Sequence, residues 1–411
     1  MKTLLVVKSG YPLPLRMPAY REFFKLNWKV VVVDKLLNQS LRFADSQIIH
    51  NLDDIEGLAK IIKEKIGTPD GILTFNDSAL VQTAQLAKLL GLNFIDVETA
   101  KKAVNKISQR KLFEESGIPV PNWREVSSSK DVKQYYKEWG KLVIKPADRS
   151  ASAGVYLIRD ENEINYAYSE AKRESFTKTV YVEEYVEGPE ISIESIVIDG
   201  IQKVIAITDK ITTDGPTFIE LGHSIPSSHP EHLLQQAVQI ALKACESLGI
   251  RNGACHTEIK LTDNGPVLIE VNPRLPGDCI VDLIQIAYGI NLYKIYGKMA
   301  MGEKINEYEL IPSKNQAAAI RFHPSLEGKV LLNAKSNLLD DYPEWLHELS
   351  VIQEIGKEMP ALNSNAGRIA YAIVSGRDSK EAVNNAQKAI ESIELTTVSK
   401  TCNRECQNCV V

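Results

Sequence analysis

Two glutamates, an asparagine and an arginine stand at alternating positions of two strand-like segments. Glu270 and Asn272 lie two residues apart in an apolar segment, so a strand would project both side chains from one face. Glu258 lies in a second such segment, and the turn-forming residues 262–266 between the two predict a β-hairpin. Two carboxylates and an amide suit Mg²⁺, which keeps waters and is completed by substrate phosphates. Arg274 follows with the same parity and would face those phosphates. An ordinary hairpin with solvent-facing polar residues is the alternative.

Length, composition and charge exclude several classes of protein. A chain of 411 residues exceeds what one core usually supports, so we expect two or three domains. The net charge is −5 without a basic arm, which argues against a nucleic-acid partner. The apolar start is too short for a signal peptide, and no apolar segment reaches membrane-span length. We expect a cytoplasmic protein with reduced thiols and no membrane partner. The oligomeric state stays open, with a homodimer among the alternatives.

The first part of the chain alternates strand and helix patterns. Short apolar segments predict strands at residues 4–7, 30–33, 47–49 and 71–74. Helical patterns span residues 18–27, 54–66 and 77–90. This order predicts βαβ units with a parallel sheet. No Gly-x-Gly-x-x-Gly follows the first strand, so a dinucleotide site is not expected. A rigid proline-containing loop at residues 10–14 stands there instead, at the sheet edge where ligands bind.

A second group of motifs lies in the middle of the chain, after a predicted helix over residues 99–117. Lys145 ends a strand and enters a small-residue loop, 146–154, whose backbone N–H groups can approach an anion or which can act as a flap. A plain hairpin loop is the alternative. Residues 183–190 carry carboxylates on both sides of a Gly-Pro turn, a pattern that can hold adenine by its backbone and ribose by a carboxylate. Taken alone, this segment is an edge strand with solvated charges.

The last part of the chain contains predicted strands at 318–322 and 368–374, a helix at 379–393 and a cysteine-containing tail. Cys402, Cys406 and Cys409 have the spacing of the radical SAM iron–sulfur motif, and three thiolates can bind a soft metal. Radical SAM proteins place that motif early, before a barrel, whereas these cysteines lie at the end of the sequence. We therefore predict a disordered tail, with metal scavenging as its alternative role.

These segments, in this order, resemble the ATP-grasp carboxylate–amine ligases. The matching motifs are, in chain order, Asn105-Lys106 with residues 117–121, Val143-Ile-Lys-Pro146, Glu183-Glu-Tyr-Val-Glu-Gly-Pro-Glu190, and Glu258 with Glu270-Val-Asn-Pro-Arg274. Within the superfamily the chain is most similar to L-amino-acid ligases that make dipeptides, the bacilysin-synthetase type, and an arginine-preferring kind fits best. The motifs behind this likeness are Thr208-Asp-Lys-Ile-Thr212, Leu221-Gly-His-Ser-Ile-Pro226 and Ala318-Ala-Ile-Arg-Phe322.

The resemblance implies an α/β ATP-grasp fold in three domains. An N-terminal parallel α/β domain would span residues 1–98, and a small central lid domain residues 99–180. A large C-terminal antiparallel-sheet domain would span residues 181–398, followed by the cysteine-containing tail at 399–411.

The resemblance also implies a role for each matching residue. ATP would be bound by Lys106, Lys145, Ser150, Ser152, Gly154, Glu183, Glu184, Val186 and Glu190. Two Mg²⁺ ions, or Mn²⁺ in their place, would be held by Glu258, Glu270 and Asn272. Arg274 would stabilise an acyl phosphate, with Lys210 near the γ-phosphate. His223 would lie beside the amino acids, although a histidine between Gly and Ser can equally be structural.

The implied reaction joins two L-amino acids with release of ADP and phosphate. A carboxylate is a poor electrophile, so ATP would convert it to an acyl phosphate that an amine then attacks. Two anions must approach each other, and metal ions, lysines and an arginine offset their repulsion. One alternative is a ligase that attaches an amino acid to a carrier protein or another amine. A nucleotide-binding regulator without turnover is the second, and the complete set of metal and phosphate residues argues against it.

Gly277 and Asp278 follow the arginine motif and, by the resemblance, belong to the pocket of the first amino acid. The bacilysin-type ligases carry a bulky aromatic residue where this chain has Asp278. A carboxylate there would pair with a cationic side chain and would favour arginine over lysine because arginine bonds in bidentate fashion. The alternative is an N-cap of a helix at residues 279–288.

Overall fold

The computed structural model describes residues 1–9 and 13–399, and the chain forms two compact units. Unit 1 contains Met1–Pro121, Val186–Ile207 and His229–Ser313. Unit 2 contains Asn122–Tyr185, Thr208–Ser228 and the chain from Lys314 onward. Each unit thus combines stretches that are distant in sequence, and the domain boundaries drawn along the chain stay predictions. The predicted tail lies outside the described residues except for Ser399, as does most of the predicted loop at residues 10–14.

The described elements follow the chain in an α/β order. The strands are β1 (Thr3–Val7), β2 (Lys29–Asp34), β3 (Ser46–Ile49), β4 (Gly71–Leu73), β5 (Trp123–Val126), β6 (Leu142–Pro146), β7 (Tyr156–Ile158), β8 (Val180–Glu184), β9 (Glu190–Ile198), β10 (Ile201–Thr212), β11 (Glu220–Ile225), β12 (Gly253–Thr262), β13 (Gly265–Asn272), β14 (Ala317–Pro324), β15 (Lys329–Ser336), β16 (Leu346–Val351), β17 (Arg368–Gly376) and β18 (Ile393–Ser399). The α-helices are α1 (Met17–Lys25), α2 (Ile55–Ile66), α3 (Leu80–Leu90), α4 (Val97–Val104), α5 (Lys106–Glu115), α6 (Ser129–Trp139), α7 (Ile164–Glu174), α8 (Glu231–Leu248), α9 (Ile280–Tyr288), α10 (Leu292–Ala300), α11 (Leu338–Asp341) and α12 (Ser379–Glu391). Among the described residues, every helix is too short or too polar to cross a membrane.

Unit 1 begins with the predicted parallel sheet. Its four strands lie in the order β3-β2-β1-β4, with all pairs parallel. The valine-rich strands β1 and β2 are buried, as expected for a sheet covered on both faces. The carboxyl end of β4 leads into a short 3₁₀ turn, Asp77–Ala79, which places Asp77 at the edge of the sheet.

The helix predicted over residues 99–117 is wrong as a single element, because it is broken at Asn105. Asn105 has an extended backbone (φ −107°, ψ 108°) and is both the C-cap of α4 and the N-cap of α5. Its side chain accepts a hydrogen bond from the amide of Ser108 at 2.9 Å, which replaces a backbone partner at the start of α5. The break makes Lys106 the first residue of a helix.

The antiparallel part of unit 1 contains the predicted hairpin. Strand β12 pairs with β13 on one side and with β9 on the other, and helix α8 packs on these strands. Thr262 lies opposite Gly265, so the turn between β12 and β13 is formed by residues 263 and 264. Buried Ile193, Ile259 and Leu268 form the core beneath α8.

Unit 2 contains two antiparallel sheets that carry the remaining motifs. The four-stranded sheet β5-β8-β6-β7 packs against α6 and α7. The strands β11, β14, β17 and β16 are neighbours in that order and are covered by α12. Strand β10 runs from unit 1 into unit 2, where its end pairs with β11. The parallel N-terminal sheet and the antiparallel sheets that follow it along the chain confirm the predicted fold class.

Candidate functional site

The predicted metal ligands are cross-strand neighbours in unit 1. Glu258 lies opposite Glu270 in the hairpin of β12 and β13, and Asn272 lies opposite His256. The side chains of the two glutamates are only 20% and 19% exposed. Like charges directly opposite in a sheet are destabilising, and each carboxylate has a cation beside it. Lys106 contacts Glu270, and the His256 Nε2 lies 3.2 Å from Glu258 Oε1.

A buried ion-pair chain continues from Glu258 into the sheet. His256 Nδ1 lies 2.9 Å from Glu194 Oε2, and the Ser192 hydroxyl donates to Glu194 Oε1 at 2.7 Å. Glu194 is fully buried and His256 is 5% exposed. Burial alone would lower the pKa of His256, but the charge of Glu194 and the hydrogen bonds that the ring donates to both carboxylates raise it to about 10. His256 is therefore a cation at neutral pH, and its contact with Glu258 orients that carboxylate.

The donor set of this hairpin fits Mg²⁺. Two carboxylates and the Asn272 amide offer hard oxygen ligands on adjacent strands. The cations beside Glu258 and Glu270 offset their mutual repulsion without occupying every carboxylate oxygen's lone pairs.

Arg274 forms a bidentate ion pair with Asp77, a partner that sequence reasoning missed. Its Nε and Nη2 donate to the two carboxylate oxygens at 2.6 and 2.7 Å, and its Nη1 donates to the Leu275 carbonyl at 3.0 Å. Burial would raise the pKa of Asp77, but the charge and hydrogen bonds of Arg274 hold it below its ordinary value. The guanidinium is thus fixed in the same unit as the paired glutamates.

In unit 2, the two predicted ATP contacts Lys145 and Glu183 pair with each other. Lys145 Nζ lies 2.5 Å from Glu183 Oε2, on neighbouring strands β6 and β8. The next residue, Glu184, donates its backbone N–H to the Asn122 carbonyl at 2.8 Å and accepts from the Asn122 amide at 2.6 Å.

The predicted phosphate loop between β6 and β7 is anchored at its start. Asp148 accepts hydrogen bonds from the amide and hydroxyl of Thr177, both at 2.7 Å. Burial would raise the pKa of Asp148, but these bonds lower it. Ser150 follows the anchor, and the backbone then turns through left-handed conformations at Ser152 (φ 56°) and Gly154 (φ 74°). The start of the loop is therefore held by Asp148, and its backbone turns sharply at Ser152 and Gly154.

The remaining predicted nucleotide residues, Val186 and Glu190, belong to unit 1. Glu190 lies opposite Lys260 in β9 and β12, with Lys260 Nζ 3.8 Å from its Oε2. Lys260 also donates to the Gly188 carbonyl at 3.0 Å. A Cβ on Gly188 would lie 2.0 Å from the Leu261 carbonyl oxygen, so the close approach of the segment before β9 to strand β12 needs glycine.

The motifs around His223 and Arg321 are neighbouring strands in unit 2. Gly222 lies opposite Arg321, and His223 lies opposite Ile320 on one side and Lys210 on the other. His223 is 1% exposed. The Lys210 Nζ lies 2.8 Å from Glu220 Oε1, a second carboxylate partner that sequence reasoning missed.

Gly277 and Asp278 form a turn before helix α9. The helix begins at Ile280 with Cys279 at its N-cap, so Asp278 is not the cap that the sequence left as its alternative role. Asp278 and Cys279 have φ values of 50° and 58°. A left-handed conformation costs a non-glycine residue roughly 1–2 kcal/mol, and such strain is concentrated at functional sites. Arg16 Nη1 donates to the Pro276 carbonyl at 3.1 Å and holds the turn.

Comparison with known proteins agrees with this architecture. A model of the ATP-grasp domain matches residues 140–282. Alanine–anticapsin ligase of Bacillus subtilis (strain 168) is 32% identical over 272 residues, which cover 60% of this chain and 57% of that ligase. Carnosine synthase 1 of Homo sapiens is 27% identical over 256 residues, covering 57% of this chain and 31% of that protein. The chain thus matches less than two thirds of either relative.

A solved structure extends the likeness over nearly the whole chain. The L-amino acid ligase from Bacillus licheniformis superposes with a TM-score of 0.84 at 21% identity and covers 96% of this chain and 98% of that one. The chain therefore carries an ATP-grasp domain and has the ATP-grasp fold. The proteins it resembles by sequence and by structure include an alanine–anticapsin ligase and an L-amino acid ligase.

Glu194→Gln is expected to destabilise unit 1, because buried His256 then loses the carboxylate that faces its Nδ1. Removing one member of a buried ion pair costs about 3–5 kcal/mol, which denaturant unfolding would measure. The double variant Glu194→Gln/His256→Gln should recover part of the loss, because it also removes the cation at position 256. Glu303→Gln is the control: it removes the exposed partner of Lys2 and should cost less than about 1 kcal/mol. Equal losses in the two single variants would contradict the buried charge.

Proposed function

We propose that this protein is an ATP-dependent L-amino-acid ligase that forms a dipeptide through an aminoacyl phosphate. The observation that carries the proposal is the pair of opposed carboxylates, Glu258 and Glu270, with cations on both sides and Arg274 beyond the end of the same strand. A sheet gains nothing from opposed carboxylates unless they bind something positive. The ATP-grasp domain match and the ligase relatives support the same chemistry.

In this proposal Glu258, Glu270 and Asn272 hold two Mg²⁺ ions, with Mn²⁺ as an alternative. When bound, these ions would offset the charge of the ATP phosphates and orient the reacting oxygens. Lys106 sits beside Glu270 and can turn from that carboxylate to a phosphate oxygen.

We assign ATP binding to residues of β6 and β8, of the loop between β6 and β7, and of the segment from the end of β8 to the start of β9. Lys145 would exchange part of its contact with Glu183 for a phosphate, while Glu183, Glu190 and the backbone near Glu184 and Val186 hold adenosine. The loop that carries Ser150, Ser152 and Gly154 would cover the phosphates. An acyl phosphate hydrolyses in water, so a cover that excludes water protects it.

Arg274 is proposed to stabilise the negative charge that develops as the acyl phosphate forms and collapses. A preorganised donor of this kind is typically worth about 2.7–4 kcal/mol of barrier. We assign Lys210 to the γ-phosphate. His223 and Gly277 are assigned to the amino-acid substrates, and Asp278 to the side chain of a cationic first substrate.

The direct test is a phosphate-release screen with ATP, Mg²⁺ and all pairs of L-amino acids, followed by mass spectrometry of the products. We expect release that requires arginine plus a second amino acid, gives a dipeptide and ADP, and stops with a chelator. Glu270→Gln should abolish release, because it removes one of the two metal carboxylates. Release with no pair would contradict a dipeptide product and favour a carrier-bound acceptor.

Asp278→Asn should selectively weaken the use of arginine. A hydrogen bond to a charged group is worth about 1.5–3 kcal/mol, so kcat/KM for arginine should fall about tenfold to a hundredfold. The KM for ATP and the rate with uncharged amino acids should change little. Asp263→Asn, in the exposed turn between β12 and β13, is the matched control. Equal losses for every amino acid would refute a specificity role for Asp278.

A further inference from the structure

The N-terminal parallel sheet contributes one side chain to the arginine of the candidate site. Asp77 is the first residue of the 3₁₀ turn after β4, and its two carboxylate oxygens accept from Arg274 Nε and Nη2 at 2.6 and 2.7 Å. The two side chains are 18% and 13% exposed, and 197 positions separate them in the sequence. This is the side-on, bidentate geometry that restricts a guanidinium most strongly.

We propose that Asp77 is a positioning residue that fixes Arg274 for the reaction. The inference rests on the proposed function, because it takes the role assigned to Arg274 there. Asp77 itself touches no reacting atom: it acts through the arginine.

The hydrogen bonds of Arg274 leave a defined part of its guanidinium for a ligand. An arginine has five N–H donors in a rigid plane. Asp77 takes the Nε–H and one Nη2–H, and the Leu275 carbonyl takes one Nη1–H. One N–H on each Nη atom remains after these three bonds, and each can donate to an oxygen of a phosphoryl or carboxylate group.

Asp77 also keeps Arg274 from turning toward the proposed metal ligands. Besides Asp77, the carboxylates of Glu270 and Glu258 also interact electrostatically with Arg274. Without Asp77 these two carboxylates would attract the guanidinium, which stands on a long flexible side chain. A guanidinium so displaced would both lose its position and compete with metal ions.

The turn that carries Asp77 is itself tied to its surroundings in unit 1. The amide of Asn76 donates to the Thr74 hydroxyl at 3.1 Å, and the Asn76 side chain donates to the Lys8 carbonyl at 3.3 Å. Tyr296, from helix α10, donates to the Thr74 carbonyl at 3.2 Å. The position of Asp77 is therefore set by strands β1 and β4 and helix α10 together.

The test compares Asp77→Asn and Asp77→Glu in the ligase assay. Displacement of a catalytic group by about 1 Å can cost about a hundredfold, so Asp77→Asn should lower kcat about a hundredfold while the KM for ATP stays within about twofold. Asp77→Glu keeps the charge and should recover part of kcat. Asp45→Asn is the control: Asp45 accepts a hydrogen bond from the Val30 amide within the same sheet, and its substitution should leave kcat unchanged.

A double variant separates positioning from a general structural role. In an Arg274→Lys background, Asp77→Asn should cost little more, because the group that Asp77 positions is already gone. A further hundredfold loss there would overturn the inference, as would an unchanged kcat in Asp77→Asn. A wild-type protein that turns over no substrate pair would instead overturn the proposed function and this inference with it.

Discussion

The unit 1 site depends on one electrostatic constraint: two carboxylates face each other across the hairpin of β12 and β13. Glu258 and Glu270 repel each other, and their neighbourhood is largely closed to water, which strengthens that repulsion. Two cations from separate elements offset this repulsion. Lys106 lies on a helix, and His256 lies on strand β12 itself. Glu194 adds a third carboxylate beside His256, so the group keeps an excess of negative charge that a divalent ion would offset. The folded hairpin therefore favours the binding of a cation.

The charged side chains around the hairpin come from elements far apart in the sequence, and each element has a structural feature that places its side chain there. The break at Asn105 starts a new helix and brings Lys106 to Glu270. Strand β9 supplies Glu194, which keeps His256 charged although it is buried. The parallel sheet supplies Asp77, which binds Arg274 in bidentate fashion. Cations and carboxylates are thus arranged in pairs of fixed geometry, so a substrate meets charges that need little reorganisation.

The predictable part of this structure is the local part. The hairpin follows from alternating side chains and turn residues close in sequence, and the parallel sheet from the order of apolar segments. The ion pairs between distant residues were not predictable, since 197 positions separate Asp77 from Arg274 and 62 separate Glu194 from His256. A signal for His256 did exist, because it stands two residues before Glu258 on the same face of β12. The predicted helix over residues 99–117 failed because one asparagine cap outweighs the helical pattern around it.

The most direct test of carboxylate activation is to follow the oxygen atoms. An amino-acid substrate labelled with ¹⁸O in both carboxylate oxygens would be incubated with ATP, Mg²⁺ and its partner amino acid, and the released phosphate analysed by mass spectrometry. Attack of the amine on an acyl phosphate expels the bridging oxygen with phosphorus, so each phosphate should carry one ¹⁸O atom. Unlabelled phosphate, or release of AMP and pyrophosphate, would contradict an aminoacyl-phosphate ligase.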